Sequence, residues 1–419
     1  MDIESSAKPT PPECIPCSPE STSPPPNPLN HVRSIILASA AGIVWGITFE
    51  KSRVFEIRAI RGQMVFERFV MLKMFMAAMG ISAFCIATVG AFKPELVYRT
   101  IRTKFRVGCN RGVLRGTVLG AFILGCGMSL SSACPGMVLA QVGAGQPNSL
   151  YTVLGGLFGC FLYGSFETSV WGKAFITSGY TFPNDKRFVD EFLNVKDRAG
   201  PMIAALGVFA CAASGVFEAL VSWESVPGGD SLGEADFAND CAGKSVFACR
   251  QWQPGIAGGI LGSLQLVLMY STQSCMGSST AYQSIVAAPF LLFGQDRRDK
   301  LAGGRSRFKY LASFTPASLA LQWQIFWCLF CAIGAYLSAS MSGTYGTVPG
   351  LPPASCFLGG ALMLFGGRLG AGCTSGHGIS GCSLLQCASF AAVPAMFGGG
   401  IATGFVLKAI LGDAYYPSY

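Results

Sequence analysis

The stretch from Gly370 to Gly381 decides the fold, and it reads Gly-Ala-Gly-Cys-Thr-Ser-Gly-His-Gly-Ile-Ser-Gly. It lies where two apolar stretches, at about 356–372 and 378–411, meet. Irregular backbone persists at membrane depth only where protein or a water-filled cavity satisfies its hydrogen bonds. The stretch therefore predicts a broken membrane helix whose break lies beside a polar path.

The composition of the whole chain also indicates a membrane protein. Of 419 residues, 51% are hydrophobic and only 12% are charged, whereas a soluble domain carries about 25% charged residues. Residues 69–92 and 320–340 are apolar over the length of about 20 residues that a membrane helix needs. These features exclude an ordinary soluble enzyme and a secreted disulfide scaffold. They also argue against nucleic-acid binding, despite a formal net charge of +8.

Two further apolar regions, at 126–147 and 271–280, are interrupted by glycine, proline and serine. Like 370–381, each region contains a polar break with one cysteine among hydroxyl and glycine residues: Cys134 within 129–137 and Cys275 within 271–280. The N-terminal ends of half-helices expose backbone N–H groups and favour negative charge, and hydroxyls add uncharged donors. A protonated thiol is a weak donor that suits a sulfur atom. The pattern predicts recognition of a small sulfur-bearing anion rather than catalysis, and we assign no catalytic residue.

The chain contains an internal repeat. Residues 120–127, which lead to Cys134, resemble residues 360–367, which lead to Cys373. More weakly, 42–46 resembles 259–262. Paired repeats with broken segments are typical of transporters with a site near the membrane midplane.

The charges of the loops predict how the two repeats are oriented. Residues 93–115 hold seven basic residues against one acid, and 294–309 hold six against two, so both loops are expected in the cytoplasm. The acidic loop 224–253 is expected outside. The two halves then have opposite orientations. We therefore predict an all-α polytopic membrane protein built from two inverted repeats, with broken or re-entrant helices around a central path.

The predicted organisation has five parts. They are a disordered Pro-rich tail at 1–30, a first membrane repeat at 31–223, the acidic and extracytoplasmic loop at 224–253, a second membrane repeat at 254–411 and a short C-terminal tail at 412–419. Cys241 and Cys249 would be able to pair if their loop faces an oxidising compartment.

The three cysteine motifs resemble those of the YeeE/YedE sulfur-transport family. They read Ser-Ser-Ala-Cys134-Pro-Gly, Ser-Cys275-Met-Gly and Gly-Ala-Gly-Cys373-Thr-Ser-Gly-His-Gly-Ile-Ser-Gly, and the resemblance covers about residues 34–411. It implies an inverted-repeat membrane protein with loops that plunge inward from both sides. It also implies uptake of thiosulfate or a related sulfur compound, passed along a narrow path by thiols. The family's central path cysteines correspond to Cys134 and Cys373, with Cys275 in the weaker copy.

The predicted path combines these thiols with neighbouring hydroxyl, glycine and imidazole groups. Its members are Cys134, Cys373, Cys275, Ser131, Ser132, Gly136, Gly372, Thr374, Ser375, Gly376, His377 and Gly378. His377 follows Cys373 by four residues, which would place both on one face of a regular helix and begin a metal site. The glycines on either side of His377 argue against such a helix. We expect the imidazole to orient the loop through a hydrogen bond or to donate to the substrate, and we predict neither a resident metal nor a cofactor.

A basic segment after residue 50 fits the predicted topology poorly, because it places cations on the outer side. Either this part of the topology is wrong, or 34–49 re-enters without crossing, or Arg53, Arg58 and Arg61 line an outer vestibule that attracts an anion. The resembled family usually has a further cysteine after a phenylalanine here, whereas this chain has Phe55-Glu56. Glu56 is expected to turn away from the path or to pair with a nearby arginine.

The predicted partners are thiosulfate or a similar anion, the lipid bilayer of a plasma or inner membrane, and a soluble sulfur-handling protein of unknown identity. Two rival functions stay open. A membrane thiol–disulfide oxidoreductase would need a close pair of thiols. A transition-metal transporter would bind Cu(I) or Zn(II) through Cys373 and His377.

Overall fold

The computed structural model describes residues 28–107, 111–183, 185–223, 245–289, 310–311 and 323–416. Within these ranges the chain is helical and has no strand beyond an isolated bridge between Phe188 and Gln386. We label the α-helices in chain order: α1 Pro28–Ser52, α2 Ile57–Met64, α3 Val70–Phe92, α4 Arg102–Val107, α5 Leu119–Ser131, α6 Val138–Gly143, α7 Ser149–Thr168, α8 Val170–Thr177, α9 Val189–Phe192, α10 Ala199–Leu220, α11 Pro254–Thr272, α12 Ser279–Ala287, α13 Trp323–Ser342, α14 Pro353–Leu369 and α15 Cys387–Leu411. Short π-helices cover Glu95–Ile101, Val113–Val118 and Ser375–Gly381, and 3₁₀ turns cover Lys196–Arg198 and Gly412–Tyr415.

Eight helical segments of the described chain are long and apolar enough to cross a membrane. They include α3 and α13, which match the predicted spans 69–92 and 320–340, and a segment at Val32–Ser52. The predicted all-α polytopic membrane fold is confirmed. By its length and composition, α1 is long and apolar enough to cross the bilayer.

All three predicted breaks are present. The helix α5 ends at Ser131 before Cys134, α11 ends at Thr272 before Cys275, and α14 ends at Leu369 before Cys373. Close to each end one residue other than glycine has a positive φ, at 49° in Ser132, 50° in Gln273 and 64° in Ala371. A left-handed residue ends a helix and turns the chain away from its axis. Each cysteine therefore lies in irregular backbone between two helical pieces.

Helices of the two halves pack against each other in corresponding pairs. The helix α1 packs on α13, as α11 packs on α3, and α5 packs on α15, as α14 packs on α7. In addition, α5 packs on α14 and α1 packs on α11. Two repeats related by a twofold axis require this pattern. The inverted relation itself stays a prediction.

Glycines allow the closest of these crossings. A Cβ added to Gly46 on α1 would lie 1.9 Å from the carbonyl oxygen of Cys331 on α13. The corresponding contact in the other half joins Gly262 on α11 to the carbonyl oxygen of Ala78 on α3, at 2.5 Å. Small residues let membrane helices approach closely and gain dispersion contacts.

One end of the bundle, the acidic-loop face, gathers the segments that lead into the acidic loop. There the backbone N–H of Trp252 donates to the Lys51 carbonyl at the end of α1 (2.7 Å). Lys73 near the start of α3 pairs with Glu218 near the end of α10, with Nζ 2.8 Å from Oε2.

The opposite end, the basic face, carries residues 93–107 and 111–115. The Lys104 ammonium donates to the Gln273 carbonyl just after α11 (2.8 Å). The Arg111 guanidinium donates to the Leu369 carbonyl at the end of α14 (2.9 Å). The basic segment therefore lies against the ends of two broken helices.

The remaining predictions on organisation fall partly outside the described residues. These include the tail up to residue 27, the acidic loop at 224–244 with Cys241, and the second basic loop at 294–309. Cys249 is disulfide-bonded. In the C-terminal segment, Tyr415 is buried and its ring lies 5.1 Å below the Arg61 guanidinium.

Candidate substrate path

The breaks that hold Cys134 and Cys373 meet inside the molecule, although 239 positions separate the two residues (373 − 134). The Cys134 thiol lies beside the Thr374 hydroxyl and the backbone N–H groups of Gly136 and Met137, and close enough to Cys373 to interact with it electrostatically. Both cysteines are free thiols. The repeat thus brings one thiol from each half to a common point.

Hydroxyls from two different breaks surround the Cys373 thiol. Its sulfur lies 3.3 Å from the Ser375 Oγ and 3.6 Å from the Ser278 Oγ. The backbone N–H groups of Gly376 and Ser279 also face this sulfur. Cys373 is only 1% exposed, so a molecule that reaches it must enter through a narrow passage. The path predicted from sequence does not include Ser278. Its position in the same polar stretch as Cys275, three residues further on, was a signal that could have identified it.

Side chains of three other helices hold the break around Cys134 in place. The Trp45 indole donates to the Gly136 carbonyl (3.3 Å) and the Tyr282 hydroxyl donates to the Pro135 carbonyl (2.9 Å). The Gln141 amide donates to the Ser132 carbonyl (2.8 Å). These bonds satisfy carbonyls that the break leaves without helical partners.

Glycine keeps the space at the centre narrow but open. A Cβ added to Gly136 would lie 3.4 Å from both the Ser278 Oγ and the Trp45 ring. The Ser278 hydroxyl is the one that also faces Cys373. Gly136 therefore lies at the meeting point of all three breaks.

Both ring nitrogens of His377 lie within hydrogen-bond distance of a neighbouring group. Its Nδ1 lies 2.9 Å from the Ser389 Oγ and its Nε2 lies 3.0 Å from the Gly370 carbonyl oxygen. A Cβ on Gly372 would come within 2.6 Å of Nε2, and one on Gly378 within 2.0 Å of the Phe75 ring. Both ring nitrogens are engaged, and no group of three or more metal-binding side chains occurs among the described residues.

Two predicted serines occupy different environments. The Ser131 hydroxyl donates to the Gly127 carbonyl of its own helix (2.8 Å), and the residue packs against Gly359 of α14. The Ser132 hydroxyl is buried and has no hydrogen-bond partner among the described residues. Ser131 thus serves the helix crossing, while Ser132 retains a donor.

Cys275 lies toward the basic face, beside the Gln265 amide and near Lys104. It lines a cavity of about 250 Å³ whose wall also includes Cys373. The further lining residues are Lys104, Phe105, Thr117, Ser274, Met276, Gly277, Ser279, Thr280, Gln324, Arg368, Gly370, Ala371, Gly372, Gly376, His377, Gln386 and Ala388. The third thiol therefore faces the same cavity as Cys373.

The predicted vestibule arginines are largely buried. Arg53 is 1% exposed and forms ion pairs with Glu50 (3.0 Å) and Glu56 (2.6 Å), so the expected pairing of Glu56 is confirmed. Lys51 also pairs with Glu50 (3.3 Å), which makes the cluster of two cations and two carboxylates neutral. The Arg61 guanidinium donates to the Tyr415 carbonyl, and Arg58 is half-buried on α2.

The model of a family described as sulphur transport matches residues 51–402 of the chain. No curated protein sequence matches it. The matched range contains α2 to α14, all three breaks and most of α15.

Proposed function

Because the chain belongs to the sulphur transport family, we propose that it carries thiosulfate, or a similar small sulfur-containing anion, along a cysteine-lined path. Its eight candidate spans make it a multi-pass integral membrane protein, and the family makes it a sulfur-related transporter. The substrate, the path and a plasma or inner membrane as its location are the parts that we propose.

The observation that carries the proposal is the meeting of Cys134 and Cys373 within a shell of uncharged donors. The donors are the hydroxyls of Thr374, Ser375 and Ser278 and the N–H groups of the two breaks. Thiosulfate has three oxygens that accept hydrogen bonds from hydroxyl and N–H groups. Its terminal sulfur is large and polarizable, and it accepts the weak S–H donor of a thiol. Each part of the anion has a matching group at this point.

Uncharged donors also suit a site that must release its ligand. Hydrogen bonds from neutral groups hold an anion less strongly than an ion pair in a site of low dielectric constant. The thiols must remain protonated, because a thiolate would repel the anion. The anion then passes from Cys134 to Cys373 by exchange of hydrogen bonds, with no covalent step.

The direct test is uptake of labelled thiosulfate into liposomes that contain the purified protein. We expect uptake by the wild type and at least a tenfold loss in Cys134→Ala and in Cys373→Ala. Cys85→Ala on α3 is the matched control, because this half-buried thiol is outside the path. Sulfate should compete poorly, since it lacks the terminal sulfur.

Other outcomes would change the proposal in defined ways. Full uptake in both variants would keep a transporter and remove the cysteine path. No thiosulfate uptake by folded wild-type protein would exclude thiosulfate as the substrate. A Cys134–Cys373 disulfide that forms and is reduced by a thiol or quinone donor would favour the oxidoreductase instead.

A further inference from the structure

The cavity beside Cys275 is positively charged, in contrast to the contact between Cys134 and Cys373. Its lining includes Lys104 and Arg368, and no carboxylate occurs among the described residues that line it. Hydroxyls of Ser279 and Thr280 and the thiols of Cys275 and Cys373 complete the polar wall. The volume of about 250 Å³ exceeds that of several water molecules, at about 30 Å³ each, so it accommodates a small anion with some of its water.

Lys104 differs from the other basic residues near it. Its neighbours on the basic face are held in ion pairs: Arg102 with Asp190, Arg106 with Glu191 and Arg111 with Glu167. Lys104 forms no ion pair within the described part of the chain. Its ammonium donates to the Gln273 carbonyl (2.8 Å), and the side chain is exposed at the mouth of the cavity. Two of its three donor protons are left for a ligand or for water.

The position of Lys104 places a positive charge near the Cys275 thiol. Its ammonium is close enough to Cys275 for an electrostatic interaction. Partial desolvation of the ammonium at the cavity mouth lowers the pKa of Lys104, so an anion beside it would stabilise the charged form. At the acidic-loop face, by contrast, Lys51 and Arg53 are neutralised by Glu50 and Glu56. The mouth of the cavity at the basic face therefore contains a cation, Lys104, that no carboxylate of the described residues neutralises.

We propose that this cavity is a second anion-binding site in series with the Cys134–Cys373 contact, where Lys104 holds the charge of the anion and Cys275 contacts its sulfur. The anion leaves the uncharged contact at Cys373 and rests in the cavity before it enters the aqueous phase at the basic face. The identity of the anion rests on the proposed function, whereas the charge and the thiol of the cavity do not.

The test measures how fast Cys275 reacts with an anionic and with a cationic methanethiosulfonate reagent of similar size. Peptide mapping by mass spectrometry reports Cys275 separately from the other thiols of the chain. In Lys104→Gln we expect Cys275 to react several-fold more slowly with the anionic reagent and several-fold faster with the cationic reagent. The loss of one nearby positive charge has opposite effects on the two reaction rates. Lys104→Arg should retain both wild-type rates.

The matched control is Lys93→Gln. This lysine belongs to the same basic segment, but its ammonium lies over the Tyr270 ring (4.9 Å) and it does not line the cavity. Unchanged rates in Lys104→Gln would overturn the proposal. Rates that change in the same direction for both reagents would also overturn it, because they report accessibility rather than charge.

Liposome uptake provides a second, independent readout. Lys104→Gln should raise the half-saturating thiosulfate concentration several-fold, while Lys104→Arg and Lys93→Gln leave it near the wild-type value. If the wild type does not transport thiosulfate but the reagent rates depend on Lys104 as expected, the proposed substrate fails and the anion site stands. If transport requires Cys134 and Cys373 but neither readout depends on Lys104, the path stands and this second site fails.

Discussion

At the scale of single residues, Ser278 provides the sharpest test of the contact around Cys373. Its hydroxyl comes from a different break and lies 3.6 Å from the sulfur. In Ser278→Ala we expect thiosulfate uptake to fall about two- to tenfold, which corresponds to one hydrogen bond of about 0.5–1.5 kcal/mol, with little change in thermal stability. The measurement is initial uptake in liposomes, together with the unfolding temperature in detergent.

Ser284→Ala is the control for this substitution, because that buried serine lies on α12, which begins one residue after Ser278, and donates to the Thr280 carbonyl one turn away (3.0 Å). Equal loss of uptake in both variants would show that Ser278 acts only through the packing of α12. Full uptake in Ser278→Ala would exclude its hydroxyl from the path.

Some of these residue contacts were accessible from sequence and others were not. Cys134 and Cys373 could be selected because each lies in a polar break between apolar stretches. The pairing of Glu56 with Arg53 could be expected because the two are only three positions apart. The approach of Ser278 to Cys373 joins residues 95 positions apart, and no local pattern shows which breaks will meet. The carboxylate of Glu50, which helps neutralise Arg53, also lay outside the predicted vestibule.

At the scale of elements, the glycine crossings of α1 and α11 should respond alike to substitution. A Cβ on Gly46 or Gly262 would overlap the carbonyl oxygen of the facing helix, so the helices must separate. We expect Gly46→Ala and Gly262→Ala each to lower the free energy of unfolding by about 1–3 kcal/mol, the usual cost of overpacking. Thermal unfolding in detergent is the measurement.

Gly259→Ala controls for the loss of a glycine from a helix, because its nearest neighbour would be the Ile81 side chain at 3.8 Å. This variant should be neutral or slightly stabilising, since alanine has the higher helix propensity. A destabilised Gly259→Ala variant beside an unaffected Gly262→Ala variant would contradict the assignment of the crossing.

The helices themselves were largely predictable, because apolar length and glycine-rich interruptions are local signals. The short helix α2 was not predicted. Its eight residues include Arg58 and Arg61, and in the sequence these arginines are typical of an exposed basic segment. Burial of Arg61 depends on the carbonyl and ring of Tyr415, which lies 354 positions further along. Such a partner becomes visible only when α15 is folded against α2.

At the scale of the whole molecule, the charge is distributed unevenly between the two ends of the path. The cations of the acidic-loop face near Arg53 are neutralised by carboxylates, whereas Lys104 at the basic face is not part of an ion pair within the described chain. On the proposed path, an anion would therefore be held by charge at one end and by neutral donors in the middle. The proposed path would then bind an anion more strongly at the basic face than at the acidic-loop face.

The orientation of the two repeats gives the last prediction. Partner exchange makes α3 of the first half the counterpart of α13 of the second half. In an inverted repeat the C-terminal ends of these two helices lie on opposite sides of the membrane. In a parallel repeat they lie on the same side. Arg99 follows α3 and Tyr345 follows α13; the side chain of Arg99 is 80% exposed, and Tyr345 is 53% exposed. Cysteine substitutions at these two positions therefore separate the alternatives.

We expect a membrane-impermeant maleimide to label Tyr345→Cys in intact cells and to label Arg99→Cys only after lysis, because the basic segment that contains Arg99 is retained in the cytoplasm. The unsubstituted chain gives the background from its own thiols. Labelling of both positions from the same side would rule out the inverted repeat. Labelling of Arg99→Cys alone in intact cells would keep the repeat but reverse the topology, and Lys104 would then be located at the outer mouth, where the anion enters.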